Sequence, residues 1–382
     1  MADDATDIET LFETTVFLDY FKELPDPRQA GKVVYRLDEL LLLSLLAVLA
    51  GADTFCDIAR FGEKKLDLLR RFLPFENGAP THDRIGEIYA ALDPAALQRC
   101  FAAWAARLTN SPVEVIEIDG KTLRGSGGKR KDSRAAIHVV SAFAARHRLV
   151  LAQTKVAEKS NEITAIPALL DMLSIEGAVV TIDAMGCQRA IVQKIIDKKA
   201  HYIIALKGNQ GTLLADVELF VTEQKANGFK HCRATTHQSV DADHGRIETR
   251  RYSVIHDVDW LQARHGWPGL KGVIIVESRR ETGDKIETET RLYITSTDYP
   301  AAIAGPMTRE HWAIENGLHW VMDMTFRDDE CRVRTEHAPA NFATVKHMAQ
   351  NVMRLAPSKD SMRLRRKTAA WDDEYLASMI IR

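Results

Sequence analysis

The chain has 382 residues, more than one hydrophobic core usually holds, so two or more domains are expected. Its 51 Lys and Arg against 53 Asp and Glu give a net charge of -2, which excludes the strongly basic overall character of many nucleic-acid-binding proteins. Any basic surface must therefore be local. Five scattered cysteines, none in a CxxC pair, argue against a zinc site or a disulfide framework.

The start of the chain, "MADDATDIETLFETT", is acidic and polar, unlike a secretory signal peptide. The longest apolar stretch, "LLLLSLLAVLAGA" from Leu40, is shorter than a membrane-spanning helix requires. We therefore expect a soluble, cytosolic protein.

The first hundred or so residues have the apolar spacing that is typical of helices. Asp38 is predicted to cap a helix that runs to Gly51, and this helix is expected to be buried because it is apolar on nearly all sides. Further helices are predicted in "FCDIARFGEKKLDLLRRFL", "PTHDRIGEIYAALD" and "PAALQRCFAAWAARL". Short helices joined by tight turns favour a helix-turn-helix-like module.

The pattern changes near Pro112, which places a domain boundary at about residues 108–112. Three β-branched segments are predicted as successive strands: "VEVIEID", "AIHVVSAFA" and "RLVLAQTKV". They are followed by an alternation of helix and strand in "NEITAIPALLDML", "AVVTID", "QRAIVQKIIDKKA" and "HYIIAL". This alternation implies that parallel strands are added to the first three, which makes the fold class mixed α/β.

A β insertion is predicted at about residues 225–300, because strand patterns return there without a long helix between them. Helices resume with "TREHWAIENGLHWVMDM" and "APANFATVKHMAQNVMRL". We expect a helical N-terminal domain at residues 1–110, an α/β domain at 111–357 and a basic C-terminal tail at 358–382. The basic run at residues 363–367 is predicted to be solvated, with phosphate contact as the alternative.

Two aspartates stand at the predicted ends of buried strands. Asp119 ends the first strand of the α/β domain and Asp183 ends the fourth, and each is followed within a few residues by glycine. If the two strands are neighbours, both carboxylates converge at one edge of the sheet. The alternative is that each aspartate simply ends a strand and starts a turn, as Asp commonly does.

A third carboxylate, Glu315, lies in the segment "TREHWAIENGLHWVMDM". Thr308 is predicted to cap this helix, and i,i+4 spacing places His311, Glu315, His319 and Met322 on one face, beside an apolar stripe. The alternative for Glu315 is a surface residue that pairs with a neighbouring histidine.

Carboxylates at strand ends and on a helix have a specific chemical use. Oxygen ligands of this kind bind Mg²⁺ and leave positions open for water and phosphate oxygens. Two such ions can stabilise both the attacking and the leaving oxygen of a phosphoryl displacement. Lys121 and Arg124, which follow Asp119, are predicted to contact the phosphates.

The chain resembles bacterial insertion-sequence transposases of the DDE superfamily, and most of all the H-repeat-associated group. The resemblance covers nearly the whole chain. The motifs that carry it are "LPDPRQAGKVVYRLDELL", "PTHDRIGEIYAALDP", "EIDGKTLRGS", "EKSNEITAIPALL", "TIDAMGCQ", "YIIALKGNQ", "HGRIETRR" and "REHWAIENGLHWVMDMTFRDDECRVR". It implies a ribonuclease H-like core in which Asp119, Asp183 and Glu315 are catalytic metal ligands.

One departure from the family concerns the residues around the glutamate. Many relatives carry a Tyr, Arg, Glu, Lys signature, but here Thr308, His311 and Met322 occupy the Tyr, Arg and Lys positions. The residues predicted to contact the transposon end are therefore Arg309, His311, His319 and Lys346.

Other stretches supply further predicted DNA contacts. Lys207 and Asn209 follow a core strand at the same sheet edge as the carboxylates, where an ordinary strand-to-helix turn is the alternative. Arg246 and Arg250 share one strand face, for which a solvated face is the alternative. Arg84 lies near the start of a predicted recognition helix. His138 is interpreted as a core or supporting histidine and is left out of the site.

We therefore predict a DNA transposase that uses Mg²⁺, with Mn²⁺ as a substitute, and that acts on its element's terminal repeats and on target DNA. A homodimer is expected on DNA, by analogy with other transposases. The expected location is the bacterial cytoplasm, at the nucleoid. The alternatives are an inactive transposase-derived DNA-binding protein and a nuclease without strand transfer.

Overall fold

A computed structural model describes residues 16–109, 114–128, 135–157, 160–243 and 245–381. Residues 110–112 of the predicted domain boundary and His244 of the "HGRIETRR" motif lie outside the described residues.

Helices fill the described residues before the first strand: α1 (Val16–Asp19), α2 (Leu37–Leu49), α3 (Phe55–Lys64), α4 (Leu66–Arg70), α5 (His82–Ala91) and α6 (Pro94–Leu108). The predicted buried helix is confirmed as α2, in which every residue from Leu40 to Leu49 is buried. Its predicted cap is wrong: Arg36 occupies the N-cap, and the carboxylate of Asp38 accepts a hydrogen bond from the Arg36 guanidinium, at 3.1 Å.

The α/β region follows in the predicted order. Its first elements are β1 (Val115–Thr122), β2 (His138–Ala144), β3 (Leu149–Lys155), α7 (Glu162–Asp171), β4 (Val179–Ile182), α8 (Arg189–Asp197), β5 (His201–Leu206) and α9 (Gly211–Ala226). The strand-rich insertion supplies β6 (Ala234–Asp243), β7 (Arg246–Ile255), α10 (Asp259–His265), β8 (Gly272–Thr282) and β9 (Lys285–Thr295). Both sets of predicted strands are confirmed.

All of these strands form one sheet in the order β3-β2-β1-β4-β5-β9-β8-β7-β6. β1, β2 and β3 pair antiparallel, whereas β4 pairs parallel with both β1 and β5. The inserted strands continue the same sheet, since β9 pairs antiparallel with β5. The predicted fold class, mixed α/β with a β insertion after a helical N-terminal region, is confirmed.

The chain returns to helices after β9. These are α11 (Ala301–Glu310), a π-helical segment (Glu315–His319), α12 (Trp320–Met324), α13 (Ala338–Leu355), α14 (Met362–Trp371) and α15 (Asp373–Ile380). α13 is buried from Ala338 to Met353. It packs against α2, α5, α6 and β3, so helices from both ends of the chain share one core.

The last described residues form the helices α14 and α15, where a basic tail was predicted. Arg366 of the basic run is buried rather than solvated. Its guanidinium donates hydrogen bonds to the carbonyls of Val48 and Ala52 and forms an ion pair with Asp53 at 2.8 Å. This arginine therefore joins α14 to the N-terminal helices.

The two faces of β1 have different surroundings. Ile116 and Ile118 point into the apolar core beneath α7 and α8. Since side chains alternate along a strand, Glu117, Asp119 and Lys121 point to the opposite face, towards the helices that carry Glu315. Within the described residues, no helix is long and apolar enough to cross a membrane.

Candidate active site

Asp119 and Asp183 lie side by side. β1 and β4 pair in parallel as far as Ile118 and Ile182, so each aspartate is the next residue beyond the last paired position of its strand. The strand adjacency on which the predicted convergence depends is therefore present. One detail is wrong: Asp119 does not end β1, which continues to Thr122 through antiparallel pairing with β2.

The Asp183 carboxylate also organises its own turn. Its Oδ1 accepts hydrogen bonds from the amides of Met185 at 2.9 Å and Gly186 at 3.2 Å. Asn209, predicted to contact DNA, instead donates its side-chain amide to the Ala184 carbonyl at 2.6 Å. The turn-forming role given as the alternative for Asp183 is thus real, and Asn209 supports the loop that contains it.

Glu315 belongs to a longer helical stretch than predicted. α11 already begins at Ala301, so Thr308 is not an N-cap: its buried hydroxyl donates to the Gly305 carbonyl at 2.6 Å. Met322 is also misplaced in the prediction, because it is buried in the helical core.

His311 and His319, predicted to contact the transposon end, both lie against the sheet. The Nδ1 atom of His311 lies 3.2 Å from the Thr181 hydroxyl, and Nδ1 of His319 lies 3.5 Å from Oδ2 of Asp119. Glu315 therefore sits in a helical stretch that is anchored to the sheet on both sides of it.

The charge around Asp119 is unbalanced. Burial raises the pKa of Asp119 to about 7, and the negative charges of three neighbouring carboxylates add to this effect: Glu162, Asp183 and Glu315. A hydrogen bond from the Gly120 amide lowers the pKa but does not outweigh them. In the present side-chain arrangement, no three His, Cys, Asp or Glu side chains of the described residues are grouped closely enough to hold a metal ion. Asp183 and Glu315 thus act electrostatically on Asp119, and the three predicted ligands do not form a closed ligand cage.

Two neighbours of Asp119 are uncharged at neutral pH. Burial, then the positive charge of Lys121, lowers the pKa of His319 to about 3. Burial, then the negative charge of Glu310, raises the pKa of Glu117 to about 9. A neutral imidazole and a neutral carboxyl therefore flank the ionisable Asp119.

A further carboxylate, Glu162, was not predicted as a site residue, although the quoted motif "EKSNEITAIPALL" contains it. Its Oε1 lies 2.7 Å from Nε2 of His138, whose Nδ1 lies 2.9 Å from the Thr122 hydroxyl. This chain of contacts crosses β1 directly above Gly120. The signal in the sequence was an acidic residue at the start of a helix, which is too common to single out.

We expect Gly120→Ala to destabilise the fold by about 1–2 kcal/mol, because the new methyl group overpacks the Glu162–His138 pair. An added Cβ would lie 2.1 Å from Oε1 of Glu162 and 2.5 Å from Nε2 of His138. Urea unfolding measures the loss. The matched control is Gly208→Ala, where no atom lies within 4 Å of the added carbon. Equal stability of the two variants would contradict the prediction.

The two cations after Asp119 have acidic partners. Nζ of Lys121 lies 2.7 Å and 2.6 Å from the two carboxylate oxygens of Asp323, and 3.7 Å from Asp329. Arg124 lies 3.5 Å from Asp329, but its side chain is 80% exposed. Arg124 is therefore accessible to a phosphate, whereas Lys121 is largely enclosed.

The other predicted DNA contacts separate into exposed and engaged residues. Lys207, Arg246 and Arg84 are exposed, and Arg84 pairs within its own helix with Glu87 at 2.7 Å. Arg309 and Arg250 both pair with Asp241 of the insertion, at 3.2 Å and 2.9 Å.

Lys346 is the clearest correction among the predicted DNA contacts. Its side chain is 1% exposed, and its ammonium binds the buried carboxylate of Asp328 at 2.8 Å. It therefore lies in the helical core, out of reach of DNA in this structure.

Comparisons with known proteins identify the family of this chain. A family profile described as "DDE_Tnp_1-associated" matches residues 18–105, and one described as "Transposase DDE domain" matches residues 111–352. Two relatives from Escherichia coli (strain K12), "H repeat-associated putative transposase YhhI" and "Putative protein YbfL", are each 39% identical over 96% of this chain and 98% of their own length.

A cryo-EM structure of a piggyBac transposase synaptic complex with hairpin DNA aligns with 98% of this chain and 78% of its own, at 9% identity and a TM-score of 0.42. That similarity is too low to carry a conclusion. The profile match and the relatives are decisive: this chain belongs to the family of transposases with a DDE domain.

Proposed function

We propose that this protein is a DNA transposase that cleaves strands at the ends of an insertion sequence and joins the freed 3′-hydroxyl to target DNA. The observation that carries the proposal is the placement of Asp119 and Asp183 on adjacent parallel strands, beside the helical stretch of Glu315. The negative charges of Asp183 and Glu315 act on Asp119, which supports a shared site for the three carboxylates.

The proposed ligands of Mg²⁺, or of Mn²⁺ as a substitute, are Asp119, Asp183 and Glu315. Their chemistry fits, because oxygen donors suit both ions and a divalent cation would stabilise the charged form of Asp119, whose pKa is raised by burial and by the neighbouring negative charges. When bound, the metal would supply activation of the attacking oxygen and stabilisation of charge at the phosphate. The carboxylates act in this proposal as ligands, not as general bases.

The chain's own residues prepare the site in two ways. His319 is neutral and lies against Asp119, so it leaves the negative charge of the carboxylates for the cation. Arg124, Lys207 and Arg246 are exposed cations, which suits contact with the phosphates of the DNA backbone. Arg84 extends such contacts to the helical N-terminal region, which we propose helps to bind the element's ends.

The proposed partners are the terminal repeats of the element and a target DNA, with a homodimer bringing two ends together. A protein that acts on bacterial DNA works in the cytoplasm, at the nucleoid. The division into domains at residues 1–110, 111–357 and 358–382 stays a proposal.

The test is cleavage and joining of a labelled DNA that carries the element's own flanking ends. With Mg²⁺ we expect nicks at the ends and joined products, and with EDTA neither. Asp183→Asn should lose both products while its affinity for the ends stays within about twofold, because the substitution removes a metal ligand and retains the turn-forming side-chain oxygen.

Each alternative function has its own outcome in this assay. Binding of the ends without metal-dependent cutting would favour an inactive DNA-binding relative. Cutting without joined products would favour a nuclease.

A further inference from the structure

The half-buried ion pair between Lys121 and Asp323 joins the two elements that carry the proposed catalytic carboxylates. Lys121 is two residues beyond Asp119 on the same face of β1, and its side chain is 12% exposed. Asp323 lies in α12, which directly continues the helical stretch of Glu315. Both carboxylate oxygens of Asp323 accept hydrogen bonds from the Lys121 ammonium, so the pair is a two-point contact between strand and helix.

This pair is the second of two contacts that run in step along β1 and the helix. Asp119 lies against His319, and two residues further along β1 Lys121 binds Asp323, which is four residues beyond His319. Two residues of a strand advance about 6.7 Å and four residues of a helix about 6 Å. The distance between the two contacts along β1 therefore matches the distance along the helix, and a shift at one contact would displace the other.

The π-helical segment helps to keep this alignment. Residues four apart in an α-helix drift around its axis, whereas a π turn contains an extra residue and reduces that drift. The amide of Trp320 donates to the carbonyl of Glu315, the i→i+5 bond of a π turn. His319 and Asp323 consequently both stay on the side that faces β1, and Glu315 begins the turn that precedes them.

We propose that Lys121 is a positioning residue which, through Asp323, sets Asp119 opposite Glu315, and that it is not a phosphate contact. The inference rests on the proposed function, whose site it deepens. The enclosed ammonium of Lys121 already has a carboxylate partner, so a phosphate would have to displace Asp323 from it. Arg124 is three residues further along the chain, its side chain is 80% exposed, and it fits the role of phosphate contact.

The test is a double-mutant cycle of Lys121→Met and Asp323→Asn, with Arg124→Met as the matched control. We expect each single variant to lower the cleavage rate at least about thirtyfold and the double variant to lose no more than either single one, because both remove the same pair. Their DNA affinity and its salt dependence should stay as in wild type. Arg124→Met should instead weaken binding and lower the salt slope by about 1.

The phosphate-contact reading gives opposite results. Lys121→Met would then weaken DNA binding and lower its salt slope, and Asp323→Asn would bind as well as wild type or better, because it frees the lysine. The charge exchange Lys121→Glu with Asp323→Lys adds a rescue test: partial recovery of cleavage supports positioning, since a glutamate cannot hold a phosphate. Thermal unfolding of each variant checks that it is folded.

A second readout separates this inference from the proposed function. We expect Mn²⁺ to raise the melting temperature of the wild type, and both single variants to lose most of that rise because their ligands are misplaced. If the wild type cleaves nothing but this pattern holds, the proposed function fails and the positioning role stands. If the wild type cleaves and Asp323→Asn keeps both its rate and its Mn²⁺ response, the positioning role is overturned.

Discussion

Asp119→Asn is expected to abolish strand cleavage, with a loss of at least about a thousandfold, while the element's ends still bind. The substitution keeps the size of the side chain and the backbone pairing of β1 but removes a charged oxygen ligand. Cleavage of labelled end DNA in Mg²⁺ and a binding titration in EDTA measure the two properties separately. Parallel loss of both would mean that Asp119 holds the fold instead.

The same variant is expected to be more stable than the wild type at pH 8 in EDTA. The folded-state pKa of Asp119, about 7, lies above its ordinary value of 3.8, so the folded chain binds the extra proton between these values. The free energy of unfolding therefore falls as the pH rises from about 4 to about 7, and the loss persists at pH 8. Asparagine removes this penalty, on the order of 1–3 kcal/mol.

The matched control for this gain is the same comparison at about pH 3. Below both pKa values the carboxyl of Asp119 is protonated in the folded and in the unfolded chain, so the substitution removes no charge there. We expect the melting temperature of Asp119→Asn to match that of the wild type at this pH and to exceed it by a few degrees at pH 8. A lower melting temperature for Asp119→Asn would contradict the interpretation of its raised pKa.

The core strands and the two aspartates were predictable because local patterns determine them. β-branched runs mark β1 and β4 and place Asp119 and Asp183 beside them in the sequence, so the adjacency of these two strands was the one further condition for the carboxylates to meet at the same edge. The helical stretch of Glu315 was harder. Glycine weakens the prediction of a helix. Gly305 nevertheless lies inside α11, where an added Cβ would lie 2.5 Å from the Tyr252 ring.

The contacts that complete the site were not predictable from local patterns. Asp323 meets Lys121 across 202 residues of chain, and nothing near either residue indicates the other. Lys346 fails as a predicted DNA contact for the same reason: in the sequence it is a cation on a helix, and only the packing of α13 on all sides buries it. Local spacing identifies groups that can do chemistry, and tertiary packing decides which of them are accessible.

Lys346→Met is expected to destabilise the fold by about 3–5 kcal/mol, because it leaves the buried Asp328 carboxylate without its cation. Burial lowers the pKa of Lys346, but the nearby Asp328 raises it and the net shift is upward, so the lysine is charged at neutral pH. Both side chains are at most 5% exposed. Urea unfolding measures the loss, and Lys64→Met, at an exposed position of α3, is the control and should change stability by less than about 0.5 kcal/mol.

Replacing both partners separates the ion pair from the packing of the site. In Lys346→Met with Asp328→Leu no charge is left buried, so the double variant should be more stable than Lys346→Met alone. DNA binding provides the second comparison, since a buried lysine contributes nothing to the salt dependence of binding. A folded Lys346→Met protein should therefore keep the wild-type salt slope. A stable Lys346→Met protein with a slope lowered by about 1 would instead return this lysine to the DNA-contacting surface.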